Sequence, residues 1–196
     1  SKILPYQYEN IFNYDMQIAI KSSLEDSQKQ SLIDELRNKE GVQEVTENYI
    51  ISGTASKDGQ EDIQIIVPKS AEEMKKVISL RELKTEEEIN LDEVKGYTIK
   101  YGFIVGDTIT IKDTNDIEKE VKVSKIAENY ISHYIYMSVE YYESLYGKAY
   151  TTNVLLLKDN NLSEEQEEQI SKELVNKNEV STVSLTSTIM RTLDDT

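Results

Sequence analysis

Residues Val105–Ser138 read VGDTITIKDTNDIEKEVKVSKIAENYISHYIYMS, and the fold class is decided in this stretch. Ile109 and Ile111 alternate with Thr108, Thr110 and Lys112, the two-residue period of a strand with one buried face. Asp113-Thr-Asn-Asp116 is turn chemistry, because short Asx side chains bond locally to the backbone and tolerate tight bends. Val121 and Val123 resume the alternation toward Ile126. Tyr134, Tyr136 and Ser138 then fall on one face of a further strand, with Ile135 and Met137 on the other. The stretch predicts about three strands, and none of its residues is placed for chemistry.

Downstream, Ser138 caps a short helix carrying Val139, Tyr142, Leu145 and Tyr146, which Gly147 ends. Asn153–Lys158 is a buried-strand run. Ser163 and Gln166 form a capping box for a helix reaching Lys177, since the hydroxyl takes the N3 amide while Gln reaches back. Val180–Leu185 is the last strand, and 186–196 begins another helix. Upstream, 1–14 is an aromatic and apolar leading segment. A strand over Asp15–Ile20 follows, then a helix over Ser27–Lys39 with Ser27 and Gln30 as its capping box. Leu32, Ile33 and Leu36 give that helix an apolar face. Val42–Ser52 is a strand, Lys57–Gln60 a turn, and Ile63, Ile65 and Val67 alternate in the return strand. Ser70 and Glu73 cap a further helix. Arg81–Val94 is charged and irregular.

The two ends of the chain repeat. Glu35-Leu36-x-Asn38-Lys39-x-x-Val42-x-x-Val45 matches Glu173-Leu174-x-Asn176-Lys177-x-x-Val180-x-x-Val183. Each copy is a strand–helix–strand unit opened by a Ser-x-x-Gln box. One such unit cannot cover both faces of its strands, so the two are expected to share a sheet, in like orientation. The fold class is therefore α+β. Residues 1–55 and 152–196 form a subdomain of two strand–helix–strand repeats, and residues 56–151 form an inserted β-rich subdomain.

Composition narrows the function. The formal charge is −15, which works against a nucleic-acid binder and against anionic lipid, and leaves cationic partners open; a solubilising surface is the plainer reading. There is no Cys, hence no disulfide or thiolate metal site. No run of about 20 apolar residues is present to span a membrane. The chain lacks an initiator Met and is expected to be a piece of a larger protein.

No catalytic set stands out. The only His, His133, cannot by itself build a metal site or a nucleophile–base pair. Asp113, Asn115, Asp116, Glu118 and Glu120 cluster hard oxygens, but an EF-hand loop starting at Asp113 would need Gly where Glu118 stands and Glu where Ser124 stands. A solvated hairpin is the reading there. Gly102 and Gly106 lack phosphate-loop spacing. Glu164, Glu165, Glu167 and Glu168 lie in first helical turns, where carboxylates suit the positive end of the dipole. Seven of the 13 Tyr lie between Tyr130 and Tyr150, read as core and rim packing. No catalytic, cofactor-binding or metal-ligating residue is assigned, and no cofactor is expected.

VGDTITI, EVKVSKIAENYISHYIYMS, EYYESLYG and NVLLLK, in this order and spacing, resemble the extracellular domain of FtsX/MacB-like ABC transporter permeases, the large Firmicutes members above all. The opening SKILPYQYENIFNYDMQI is similar to the segment that leaves one membrane helix, and the closing VSTVSLTSTIMRTLDDT to the one that leads into the next. The resemblance implies a porter-like subdomain with an insertion. It also implies a place on the outer face of a Gram-positive cell membrane, and a cytosolic ATPase acting on the full permease. Relatives have a longer helix-like stretch where Leu91–Gly106 stands here. The family carries no shared catalytic residues. The function expected is a non-enzymatic domain that passes ATP-driven motion to an extracellular partner. The alternative is a sensing domain for an extracellular peptide or lipid-linked molecule, such as a cationic antimicrobial peptide.

Overall fold

The structure is a computed structural model that describes residues 7–93, 97–99, 105–129 and 132–194. Expectations that rest on Ile3, Tyr101, Gly102 or Tyr130 lie outside these residues. The chain divides into two compact units: residues 1–47, 76–78 and 152–196, and residues 48–75 and 79–151.

In the first unit, β1 (Met16–Ile20), α1 (Asp26–Arg37) and the start of β2 (Val42–Ser56) form one strand–helix–strand repeat. The other repeat is β8 (Val154–Asp159), α4 (Glu164–Val175) and β9 (Val180–Leu185). The strand order is β2-β8-β1-β9. β1 is central and runs antiparallel to both β8 and β9. This is the split β-α-β arrangement of ferredoxin-like folds. The expected shared sheet is present, but the repeats do not have like orientation: their first strands are antiparallel neighbours. Pairing β1 with β8 lets both helices cover one core, made by Met16, Ile18, Leu32, Ile33, Leu36, Leu155, Leu157, Ile170, Leu174 and Val180.

α1 starts at Asp26, and its capping box is Glu25 with Gln28, not Ser27 with Gln30. The Glu25 N–H donates to Gln28 Oε1 at 2.9 Å. In the register of the repeat, Glu25 and Gln28 stand where Ser163 and Gln166 stand, and those two close their box as expected, at 2.9 and 3.2 Å. After α1 the chain turns at Gly41, whose φ of +86° strains any residue with a β-carbon; one would also lie 3.0 Å from Leu162.

The second unit is a closed barrel. The remainder of β2 pairs with β3 (Gln60–Pro68), β3 with β7 (Tyr134–Met137), and β7 with β4 (Tyr97–Ile99). β4 pairs with β6 (Glu118–Ile126), β6 with β5 (Thr108–Asp113), and β5 returns to β2. Six strands thus close into a ring. The alternating residues enter the barrel core: Ile63, Ile65 and Val67, then Ile109 and Ile111, Val121 and Val123, Ile135 and Met137. Ala55 completes the interior from β2, and Tyr142 of α3 (Val139–Tyr146) packs on it. Ser138 caps α3 through the Tyr141 N–H at 3.1 Å, and Gly147 ends it at φ +65°. α2 (Ala71–Met74) is a single turn capped by Ser70. β4 was not foreseen, since three residues carry no readable period. Among the described residues, no helix is long and apolar enough to cross a membrane.

Candidate functional site

The first strand of the first unit starts where its last strand ends. β1 and β9 are antiparallel, with Met16 opposite Leu185, so the start of one strand lies beside the end of the other. Thr186 opens α5 (Thr186–Asp194) and closes the junction. Its N–H donates to the Asp15 carbonyl at 2.9 Å, and its hydroxyl donates to the Tyr14 carbonyl at 2.8 Å.

Three carboxylates gather at this junction. Asp15 precedes β1, Asp159 ends β8, and Glu167 sits in the first turns of α4. The Asp15 N–H donates to the Leu157 carbonyl at 2.8 Å, which sets Asp15 beside the end of β8. The Asp159 N–H donates to Asp15 Oδ2 at 2.7 Å, and Asp159 Oδ1 accepts from the Leu162 N–H at 3.1 Å. One oxygen from each carboxylate lies within 4.8 Å of the other two. Asp159 and Glu167 are buried, at 5% and 6% exposure. Burial, then the hydrogen bond and negative charge of Asp159, pushes the Glu167 carboxyl up to about 8; Ser187 on α5 opposes this. Asp15 is also raised, first by burial.

Of the four glutamates that open α4, Glu164, Glu165 and Glu168 are exposed and Glu167 is buried. Helical spacing carried the signal. Glu167 stands three residues before Ile170 and seven before Leu174, on the stripe that faces the core. Its partners, 8 and 152 positions away, could not be seen from sequence.

A second site lies in the barrel unit. Residues 52–54, 60–64, 112–114, Asp116, Ser132 and His133 line an open groove of about 890 Å³. Glu61, Asp62, Asp113 and Asp116 face Lys112 and His133 there. His133 Nδ1 lies 3.3 Å from Glu61, so the lone His joins an acidic groove. Asp113 turns inward and accepts the N–H groups of Asn115 and Ile117 at 2.8 and 3.1 Å. This makes 113–118 the expected hairpin turn. The described tyrosines of 130–150 include a packed row, with Tyr142 ring centroids 5.3 Å from Tyr49 and 5.0 Å from Tyr146.

No protein-family model matches the chain, and no curated protein does. Solved structures are similar to it. The periplasmic region of MacB from Actinobacillus actinomycetemcomitans shares 15% identity at a TM-score of 0.46, over 100% of this chain and 99% of that one. The extracellular domain of the noncanonic ABC-type transporter YknZ from Gram-positive bacteria shares 15% identity at a TM-score of 0.48, over 88% of this chain and 100% of that one.

Proposed function

We propose that this chain is the non-catalytic extracytoplasmic domain of a bacterial ABC transporter permease, on the outer face of a Gram-positive membrane. It passes ATP-driven motion of two membrane helices to an extracellular substrate or partner. The observation that carries this reading is the Thr186 junction, where two backbone carbonyls of the incoming segment hold the first residue of the outgoing helix. A domain moved by two helices must receive both at one place. Motion of either segment then reaches the central strand β1 directly. The ordered sequence resemblance supplies the ATPase and the membrane helices.

The test starts from the full permease and ATPase with their own cysteines replaced; this chain contributes none. Asn13→Cys and Thr188→Cys, spin-labelled in the full permease with its ATPase, should show an inter-label distance that changes between ATP-bound and nucleotide-free states. An unchanged distance distribution refutes the mechanical role. A second reading, recognition of a cationic peptide, is favoured by the acidic groove at Glu61, Asp62 and Asp116. It requires saturable binding of a lysine-rich peptide that Asp62→Asn weakens.

A further inference from the structure

We propose that Asp15, Asp159 and Glu167 hold one divalent cation of the calcium class, which ties the segment entering β1 to the end of β8 and to α4. The inference goes beyond the transporter reading and does not depend on it. Calcium takes oxygen ligands at about 2.3–2.6 Å, so two oxygens on opposite sides of the ion stand about 4.6–5.2 Å apart. The three carboxylate oxygens here, each within 4.8 Å of the others, fit around one such ion.

A second observation points to a ligand. Asp159 Oδ2 is buried with no N–H or hydroxyl donor, while Oδ1 of the same group is satisfied by the Leu162 N–H, so a cation there competes with the proton that Glu167 shares with Asp159. A buried carboxylate oxygen without a donor is costly, and a cation in the cluster would satisfy it. Basic groups nearby leave this role open. Arg191 pairs with exposed Glu164 at 3.5 Å, and Lys158 acts on Asp15 only as the last of several influences. The elements that supply ligands are separate: the start of β1, the end of β8 and the first turns of α4, with Ser187 of α5 bordering Glu167 at 3.5 Å. An ion here would cross-link the segment entering β1, the end of β8 and α4.

The test is calorimetric titration of the chelator-stripped chain with calcium chloride at physiological ionic strength, beside thermal melts with and without calcium. One site with a dissociation constant of about 10⁻⁴–10⁻³ M is expected, the weak end of the calcium range for a site of three carboxylates, with a calcium-dependent rise in melting temperature. Asp159→Asn and Glu167→Gln should each weaken binding at least about tenfold. Their melts without calcium should match or exceed the wild type, which shows that both fold. Glu168→Gln removes the same charge from an exposed position of α4 and should leave binding unchanged. The proposal is overturned by absence of saturable binding, by binding that survives Glu167→Gln, or by equal weakening in Glu168→Gln, which would indicate a diffuse cation atmosphere on an acidic protein.

Discussion

Lys177 Nζ lies 2.9 Å from Glu35 Oε1, and the equivalent residues of the other repeat make the reciprocal pair, Lys39 Nζ to Glu173 Oε2 at 3.0 Å. Lys39 and Lys177 hold the same position in the repeated Glu-Leu-x-Asn-Lys pattern, as do Glu35 and Glu173. Each Lys therefore reaches across to the Glu of the other copy, and the internal two-fold symmetry of the first unit runs between the helix ends. Leu36 and Leu174 are buried next to these pairs.

The pairs are solvent-exposed, so they serve symmetry more than stability. Lys177→Met should cost about 0.2–1 kcal/mol at low salt and less at high salt. Urea melts at two ionic strengths check this, and a loss that persists in high salt would refute it.

The leucines beside them carry the stability. Leu174 is 2% exposed, and Leu174→Ala should cost about 2–5 kcal/mol. Val175, the next residue, is 48% exposed, and Val175→Ala should change little. Equal effects of the two substitutions in denaturant melts would contradict the packing of α4.

Gly53 pairs with Asp113 where β2 meets β5 in the barrel. A β-carbon at Gly53 would lie 2.4 Å from the Lys112 carbonyl oxygen, a backbone atom that cannot turn aside. Gly53→Ala should destabilise the barrel by about 1–3 kcal/mol. Gly59→Ala, where nothing lies within 4 Å, serves as the control. Amide exchange should quicken across β2 and β5 in the first variant alone.

The Glu167 carboxyl, pushed up to about 8 from an ordinary value of 4.5, predicts a pH dependence in chelator. The folded state favours its neutral form. That contribution is complete below pH 4.5 and is lost as pH rises through about 8. Wild-type melting temperature should therefore fall more than that of Glu167→Gln between about pH 5.5 and 9. Parallel curves would refute the assignment.

The sequence by itself determined the periodic elements, because a strand or an amphipathic helix writes its buried face into local spacing. Ile109 with Ile111, Val121 with Val123, and Leu32 with Ile33 and Leu36 face cores in the structure as their spacing requires. It also determined the repeat, and with it the equivalence of Glu35 and Glu173 that the reciprocal ion pairs display. Only the tertiary structure decided which strands pair. Barrel closure depends on β5 returning to β2 and on β4, whose three residues show no period. The antiparallel placement of β1 and β8 depends on two helices covering one core, a global packing requirement. The carboxylate cluster is of the same kind. Asp15 and Asp159 are separated by 144 positions and meet through the register of a β-ladder. Glu167 alone left a trace, a charge on an apolar stripe, because helical spacing is local while its reason for burial is not.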